Sequence, residues 1–360
     1  MRLLINVSVV TKNHRGMGMF TKKILLKLLE DKSFEFILVS CTDIDEILKN
    51  MIQKNNILYK QVNSPLPIFE QVILPFLINK YKPDICWFPS NTFPIFKMKK
   101  VKYVATIHDV IFLEKNIIPS SFYQKIGKFY RAFCITNGIK NIEILTSVSK
   151  TALTEIYDYF NIKNKIENKQ VLYNSIDTDF NFDANIIEKL NLKNKKYIYT
   201  ISGNAPHKNL PFLLESFYKF NKIYKDYKLV ITGVSQQYHK LFDYNNVLFT
   251  DFLSEGEKNS LIKNADFFVF ASLKEGFGIP LIESMCLNQN ILASDIDVFK
   301  EIGKEYVNYF SPTDTNFLIK YLEDEKKIKN DLVEVRNFIN HTFNIDTTVE
   351  KLKLILKGTT

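Results

Sequence analysis

Residues 267–287 read FFVFASLKEGFGIPLIESMCL, and this sequence predicts an α/β fold. The apolar run FFVFAS is typical of a strand that is buried on both faces of a parallel sheet. Gly276 and Gly278 form a loop after it, and Pro280 predicts the start of a helix, because proline suits the first helical position. A strand, a glycine loop and a helix in this order predict an anion site at the helix N-terminus.

Two carboxylates flank this loop, because Glu275 precedes Gly276 and Glu283 lies inside the predicted helix, with seven residues between them. Carboxylates accept hydrogen bonds in pairs and therefore suit hydroxyl groups better than phosphates. The pattern fits a ligand with phosphate in the middle and hydroxyl-rich groups at both ends, which is the layout of a nucleotide-sugar. A plain turn before a proline helix start, with Glu283 favoured by the helix dipole, explains the same residues without a ligand.

The length and composition indicate a folded protein of two domains. The chain has 360 residues, of which 46% are hydrophobic and 14% aromatic, and this favours two buried cores. The opening MRLLINVSVV predicts a strand and not a signal peptide, and we find no apolar run near the ~20 residues of a membrane span. The cysteines lie far apart without the spacing of a metal or redox site, which predicts core residues in a reducing cytoplasm. They are Cys41, Cys86, Cys134 and Cys286.

Short apolar runs alternate with helical stretches along the whole chain. The first series is LLINVSVV, FEFILVS, ICWF, KYVATI and EILTSV, and the second is KYIYTIS, YKLVIT, NVLFT, DFFVFA and QNILASD. Residues 19–30 and 149–160 have helical patterns, residues 177–196 are a polar candidate linker, and residues 324–357 look helical throughout. This order predicts two Rossmann-like, doubly wound parallel-sheet domains that face a shared cleft. We place them at 1–180 and 181–340, with a C-terminal helix at about 341–360 that packs back on the first domain.

The excess positive charge lies in the N-terminal half. Residues 1–180 contain 25 Lys and Arg against 16 Asp and Glu, whereas the remainder contains 23 of each kind. This asymmetry predicts an anionic partner, such as a membrane surface, a diphosphate-bearing acceptor or nucleic acid. The abundance of Lys, Asn and Ile also matches the codons of an AT-rich genome and offers an explanation without a partner. No nucleic-acid recognition motif is present, so we predict no nucleic-acid partner.

Two further motifs of the N-terminal half are candidate binding elements. HRGMGMF places Gly16 and Gly18 before a helix, which resembles a phosphate loop or a turn that needs positive φ. His108 ends the predicted strand YVATI, and the C-terminal end of a parallel strand is where ligands bind, although a lone histidine there is more often structural.

Residues 122–133, FYQKIGKFYRAF, interleave aromatic side chains with Lys125, Lys128 and Arg131. A spacing of three residues places these cations along one helix face, as in helices that contact anionic lipid. A helix that covers the sheet explains the segment equally well.

In the C-terminal half, NAPHKNL follows the strand YIYTIS and a turn at Gly203. Lys208, at the start of a helix, is placed like the lysine of a phosphate site, although it is also consistent with a solvated side chain. Three Asp-x-Asp pairs begin at Asp43, Asp177 and Asp295, and we interpret them as caps and turns and not as metal ligands. We therefore predict no metal site.

Taken together, these segments resemble the retaining, nucleotide-sugar-dependent glycosyltransferases of the GT-B fold, of the group 1 or family 4 type. EGFGIPLIE matches the Glu-x7-Glu signature of that family. PHKNL matches the segment of its phosphate-binding lysine, RGMGMFTKKILL its N-terminal glycine loop, TIHD its histidine segment and VLYNSID its interdomain Asn-Gly-x-Asp. The motifs occur in the family's order and extend over nearly the whole chain.

The resemblance implies a role for each matching position. Glu275 would bind hydroxyls of the donor sugar, Glu283 the nucleotide ribose, and Lys208 the leaving diphosphate. The implied catalytic residues are Glu275, Lys208 and His108, with His108 contacting the transferred sugar. The implied donor-binding residues are Gly16, Gly203, Asn204, Lys208, Glu275, Gly276, Phe277, Gly278, Ile279 and Glu283. The family pattern has an arginine where Asn204 stands, so diphosphate binding depends more on Lys208. It also has a glycine where Ser175 stands.

The implied activity is retaining transfer of a hexose or deoxyhexose from a nucleotide-sugar to a glycan acceptor, without a metal or other cofactor. The acceptor would be lipid-linked and would serve bacterial surface polysaccharide synthesis, O-antigen or capsule. The enzyme would act in the cytoplasm, at the inner face of the plasma membrane, where an anionic surface suits the basic N-terminal half. The alternatives are a sugar-nucleotide epimerase of similar fold and a catalytically silent binding subunit.

Overall fold

The chain divides into two compact units, each built around its own parallel sheet. The computed structural model describes residues 1–12, 16–114, 122–162, 168–234, 246–324 and 327–358. The first unit comprises Met1–Ser175 and Phe343–Thr360, and the second comprises Ile176–Thr342. No helix within the described ranges is long and apolar enough to span a bilayer.

The first unit contains a seven-stranded sheet in the order β3-β2-β1-β4-β5-β6-β7, and all of its pairs are parallel. The strands are β1 (Arg2–Asn6), β2 (Glu35–Ser40), β3 (Leu58–Gln61), β4 (Ile85–Phe88), β5 (Lys102–Ile107), β6 (Ile144–Ser147) and β7 (Asn168–Val171). The central strands are buried on both faces, with Trp87 and Tyr103 fully buried, because helices cover both sides of the sheet.

The helices of the first unit are α1 (Met17–Leu28), α2 (Glu46–Lys54), α3 (Leu66–Ile68), α4 (Leu74–Tyr81), α5 (Phe122–Gly138) and α6 (Lys150–Phe160). A π-helical turn, Phe69–Ile73, joins α3 to α4. Short 3₁₀ helices span Ile111–Leu113 and Ile139–Asn141. The last helix of the chain, Ile345–Lys357, also belongs to this unit, where Asp346 pairs with Lys27 of α1 at 2.9 Å.

The second unit contains a six-stranded parallel sheet in the order β10-β9-β8-β11-β12-β13. The strands are β8 (Tyr197–Ile201), β9 (Lys228–Thr232), β10 (Val247–Thr250), β11 (Phe267–Phe270), β12 (Ile291–Ser294) and β13 (Asn308–Phe310). Its helices are α7 (Asn185–Lys189), α8 (Leu210–Ile223), α9 (Glu255–Asn264), α10 (Ile279–Leu287), α11 (Asp297–Gly303), α12 (Phe317–Glu323) and α13 (Leu332–Thr342), so that Ile345–Lys357 is α14. Short 3₁₀ helices span Pro206–Lys208 and Lys304–Tyr306.

Both sheets have the Rossmann strand order, and the prediction of two doubly wound parallel sheets is confirmed. All ten predicted strands are present, including β11 at residues 267–270. Three strands were not predicted, namely β3, β7 and β13, and each lies at the edge of its sheet. An edge strand is only partly covered, so it tolerates polar residues and need not carry the apolar run that marks a central strand.

The prediction of a continuous helix over residues 324–357 is wrong. Of this segment, Lys327–Asn330 are not helical, and α13 ends at Thr342 before α14 begins at Ile345. Asn344 caps α14, because its side chain accepts hydrogen bonds from the amides of Asp346 and Thr347. After this break, from Phe343 onward, the chain belongs to the first unit again.

Candidate active site

The candidate site of the second unit lies at the carboxyl ends of β8 and β11, which are neighbours in the sheet. β8 leads to the loop that contains Gly203 and Lys208, and β11 leads to the loop that contains Glu275 and Gly278. The chain continues from β8 to β9 on one side and from β11 to β12 on the other. This is the topological switch point, where doubly wound sheets bind ligands.

Gly278 determines the geometry of the loop after β11. It is the N-cap of α10, with φ +111° and ψ 53°. A Cβ at this position would lie 3.0 Å from Cε1 of Phe299, so both the backbone angles and the space favour glycine. Pro280 is the second residue of α10, one position later than predicted, because the helix begins at Ile279.

Two backbone amide groups at the start of α10 have no hydrogen-bond partner among the described residues. The N–H of Leu281 donates to the Gly278 carbonyl at 2.9 Å. Among the described residues, none accepts a hydrogen bond from the N–H of Gly278 or Ile279. Unpaired amides at a helix N-terminus carry partial positive charge and bind anions. Phe277, which lies between Glu275 and Gly278 in the sequence, is buried.

Lys208 and Glu275 form an ion pair between the two loops. The Lys208 Nζ lies 2.6 Å from the Glu275 Oε1, and the Ser272 hydroxyl donates to the same oxygen at 2.7 Å. The Lys208 ammonium also lies 5.5 Å from the centre of the Phe270 ring. The two charged side chains are 25% and 14% exposed, so the pair is held in place but is still accessible to a ligand.

Two polar atoms near Lys208 have no hydrogen-bond partner in the described part of the chain. They are the Ser202 hydroxyl and the Nδ1 atom of His207, and both are buried. Burial lowers the pKa of His207, and the neighbouring Lys208 charge lowers it further, so the imidazole is neutral at pH 7. Buried polar atoms without partners are unusual in folded proteins, and here they belong to the loop that follows β8.

Glu283, on α10, makes a second ion pair. Lys258 of α9 donates to both of its carboxylate oxygens at 2.9 Å, and the side chains are only 19% and 13% exposed. The capping box of Ser254 and Glu257 fixes the start of α9 at Glu255, three residues before Lys258. Neither Lys258 nor Ser272 was predicted to be a site residue. In the sequence, Lys258 is visible only as the lysine of FLSEGEKN, and that segment does not reveal that Glu283 is its partner.

The remaining predicted residues of the second unit occupy the same two loops. Asn204 is exposed and follows Gly203, where a Cβ would meet no atom closer than 3.9 Å. Gly276 lies between Glu275 and Phe277. The structure therefore brings together the predicted residues of this unit at one end of its sheet.

Two of the residues predicted to contact the donor belong to the first unit. His108 follows β5 and is buried, with its Nε2 3.0 Å from the Pro89 carbonyl and its ring edge-on to Phe20. Burial lowers the pKa of His108 to about 4, so the ring is neutral at pH 7 and Nε2 is the donor to Pro89. Gly16 is the N-cap of α1 with φ 45°. Their roles toward a donor sugar stay predictions.

The three cations predicted on α5 do not share one exposed face. Lys125 is exposed, but the Lys128 ammonium donates to the Glu114 carbonyl at 2.9 Å. The Arg131 guanidinium lies over the Phe112 ring, 5.3 Å from its centre, and burial lowers the pKa of Arg131. Lys128 and Arg131 thus fix α5 to residues 112–114.

The Asp-x-Asp pairs contribute caps and ion pairs. Asp45 is the N-cap of α2, as predicted, and its carboxylate pairs with Lys22 at 3.0 Å. Asp43 pairs with Lys49, and Asp295 with Lys300. Within the described ranges, no group of three or more His, Cys, Asp or Glu side chains is arranged to hold a metal ion.

Comparison with solved structures identifies the fold. The structure is similar to the crystal structure of Anabaena Alr3699/HepE in complex with UDP and glucose, with a TM-score of 0.70, 14% identity, and coverage of 99% of this chain and 100% of that one. The fold is thus GT-B, as predicted.

Two curated relatives are each 25% identical to the chain. The O-antigen chain mannosyltransferase RfbU of Salmonella typhimurium aligns over 356 residues, 94% of either chain. The N-acetylgalactosamine-N,N'-diacetylbacillosaminyl-diphospho-undecaprenol 4-alpha-N-acetylgalactosaminyltransferase of Campylobacter jejuni aligns over 244 residues, 64% of either chain. The family model of glycosyl transferases group 1 matches residues 182–334, which include every site residue of the second unit. These matches support a group 1 glycosyltransferase, and the chain is a transferase enzyme.

Proposed function

We propose that the protein transfers a hexose or deoxyhexose from a nucleotide-sugar to a lipid-linked glycan, with retention of the anomeric configuration. The observation that supports this most strongly is the Lys208–Glu275 ion pair beside the α10 N-terminus. The arrangement offers positive charge for a diphosphate and a carboxylate for sugar hydroxyls within one small region.

The donor would bind through an exchange of partners. The diphosphate would accept hydrogen bonds from the Lys208 ammonium and from the amides of Gly278 and Ile279. Lys208 would then leave Glu275, and the freed carboxylate would accept hydrogen bonds from the sugar. Ser272 would keep the carboxylate oriented during this exchange, because its hydroxyl holds the same oxygen at 2.7 Å. Glu283, placed by Lys258, would accept from the ribose hydroxyls.

In the transfer step, the bond between the anomeric carbon and the diphosphate oxygen breaks, and negative charge develops on the diphosphate. Lys208 and the α10 amides would stabilise that charge, so we propose that no metal ion is required. The acceptor hydroxyl would attack from the same face and pass its proton to a phosphate oxygen of the leaving group. Glu275 would orient the sugar and would not form a covalent bond with it.

The acceptor and the pathway are proposed from the relatives and the charge. RfbU is named as an O-antigen chain mannosyltransferase, and the Campylobacter jejuni enzyme is named for a diphospho-undecaprenol acceptor. The HepE complex supports a nucleotide-sugar donor by analogy. We infer that this protein acts in O-antigen synthesis in the cytoplasm, where the excess positive charge of residues 1–180 would favour an anionic acceptor.

A donor panel tests the proposal. UDP-, GDP-, ADP- and TDP-sugars are incubated with the protein and undecaprenyl-diphosphate-linked glycans, and the product is analysed by mass spectrometry and by NMR of the new linkage. The expected result is a glycan longer by one sugar, with the anomeric configuration of the donor. Epimerisation of a donor would favour an epimerase, and donor binding without turnover for any acceptor would favour a silent subunit.

A further inference from the structure

The first unit exposes large apolar side chains that the proposed chemistry does not use. They lie on the helical segment 66–81, on the loop at 93–100 and on α5, and they include Val72, Phe76, Phe96, Ile126, Phe129 and Phe133. Phe96 is 77% exposed, Phe129 72% and Phe76 65%. Single exposed apolar residues are normal, whereas a group of them marks an interaction surface.

Gln71 shows that these three segments meet at one place. Its side-chain Nε2 donates to the Phe93 carbonyl at 3.1 Å and to the Tyr130 hydroxyl oxygen at 2.9 Å. Its Oε1 accepts from the Ile95 amide at 2.9 Å. Val72, Phe96 and Phe129 are the chain neighbours of Gln71, Ile95 and Tyr130, so these exposed side chains lie on segments that meet at Gln71.

A buried carboxylate fixes this junction to the sheet. Glu70 is fully buried and accepts hydrogen bonds from Tyr130 at 2.7 Å, Thr92 at 2.9 Å and Asn6 at 3.2 Å. Asn6 ends β1 and Thr92 follows β4. The hydrogen bonds of Glu70 therefore connect the helical segment, the loop and α5 to one another and to the sheet. The exposed side chains lie on these connected elements.

The charged residues of these three segments are basic, apart from the buried Glu70. Residues 66–82 contain two Lys, residues 93–102 four Lys, and residues 122–141 three Lys and one Arg, whereas the only Asp or Glu in these ranges is the buried Glu70. Lys97 pairs with Glu143, and Lys128 and Arg131 contact residues 112–114. Lys80, Lys99, Lys100 and Lys125 are exposed.

The combination of exposed aromatic rings and exposed lysines matches the chemistry of an anionic bilayer. Phenylalanine side chains enter the boundary between headgroups and acyl chains, and lysines contact the lipid phosphates. A second copy of the chain is less suitable as a partner, because it would bring like charges together. We propose that the surface formed by Val72, Phe76, Phe96, Ile126, Phe129 and Phe133, with Lys99, Lys100 and Lys125, docks on anionic phospholipid.

Vesicle sedimentation tests this proposal without donor or acceptor, so its outcome does not depend on the proposed transfer activity. The protein is mixed with vesicles of phosphatidylglycerol and phosphatidylcholine, and the bound fraction gives a partition coefficient. The test variants are the doubles Phe96→Ser/Phe129→Ser and Lys99→Glu/Lys125→Glu. The matched controls are Ile47→Ser, at a residue of α2 that is 56% exposed, and Lys54→Glu, at the exposed end of the same helix.

Each test variant is expected to lower the partition coefficient by about tenfold or more, because each removes two groups that contact the bilayer. The controls are expected to bind like the unmodified protein, and all variants to melt at the same temperature, since every changed side chain is exposed. Binding to phosphatidylglycerol vesicles that both test variants retain in full would overturn the proposal. So would a dimer in lipid-free buffer that Phe96→Ser/Phe129→Ser dissociates while vesicle binding is unchanged.

Discussion

The ion pair between Lys258 and Glu283 is expected to stabilise the second unit and to orient Glu283. Replacing Lys258 with Met keeps an unbranched side chain of nearly the same length but removes its charge. Glu283, only 13% exposed, then loses the ammonium that donates to both of its oxygens at 2.9 Å. A partly buried carboxylate without its cation is costly, because little water can replace the lost hydrogen bonds.

The expected magnitude follows from this geometry. Hydrogen bonds to charged groups contribute about 1.5–3 kcal/mol, whereas exposed ion pairs contribute about 0.2–1 kcal/mol. We therefore expect Lys258→Met to lower the free energy of unfolding of the second unit by about 2 kcal/mol, or the melting temperature by roughly 4–8 °C. Lys258→Met/Glu283→Gln is expected to lose less than the sum of the single variants, with a coupling energy of about 2 kcal/mol.

Calorimetry of the four proteins of this cycle measures the coupling energy. The pair of Lys193 and Glu188, at 3.4 Å and about 70% exposed on both sides, provides the control cycle with Lys193→Met and Glu188→Gln. Its coupling is expected to stay below about 0.5 kcal/mol. If the Lys258 cycle gives a coupling no larger than this control, the inference that Lys258 holds Glu283 is refuted.

Three further predictions concern pH, backbone strain and metal dependence. Burial holds the folded-state pKa of His108 at about 4, below its ordinary 6.5, so stability should be full above pH 6.5 and fall by up to about 3 kcal/mol as pH drops to 4. His108→Gln, which cannot titrate, should lose less melting temperature between pH 7.5 and 5 than the unmodified protein does. An equal loss in the two proteins would contradict the lowered pKa of His108. Gly278→Ala is expected to cost about 2 kcal/mol or more in urea unfolding, because of its positive φ and the contact with Phe299. Gly203→Ala, with 3.9 Å of space, should cost less than about 0.5 kcal/mol, and similar values for the two would refute the steric explanation. Transfer is expected to persist in excess EDTA, and a loss that Mg²⁺ reverses would contradict the proposal that Lys208 and α10 neutralise the diphosphate.

The sequence predicts the central elements of the fold because burial leaves a local pattern. β4 and β11 are continuous apolar runs, and β5 is mostly apolar, since helices cover both faces of the sheet. β3, β7 and β13 lack such runs, because an edge strand is only half covered. The break at Phe343–Asn344 is marked only by the capping asparagine, which the helical periodicity on both sides obscures.

The sequence also predicts which residues belong to the candidate site but not how they pair. Lys208 and Glu275 were assigned to different parts of the donor, and the structure joins them in one ion pair. Lys258 and Glu283 come from separate helices, so only the packing of α9 beside α10 reveals their contact. The orientation of Lys128 and Arg131 depends on residues 112–114, which a helical pattern in α5 does not encode.

Titration calorimetry with the donor identified in the panel, and with its nucleoside diphosphate alone, tests the exchange of partners at Lys208 and Glu275 most directly. Lys208→Met is expected to lower the affinity for both ligands by about 10- to 100-fold, because charge-assisted hydrogen bonds to the diphosphate are lost. Glu275→Gln is expected to lower the affinity for the nucleotide-sugar only, since it leaves Lys208 free to bind the diphosphate of either ligand. Unchanged affinity of Lys208→Met for both ligands, or equal weakening of both ligands in Glu275→Gln, would contradict the proposed division of roles.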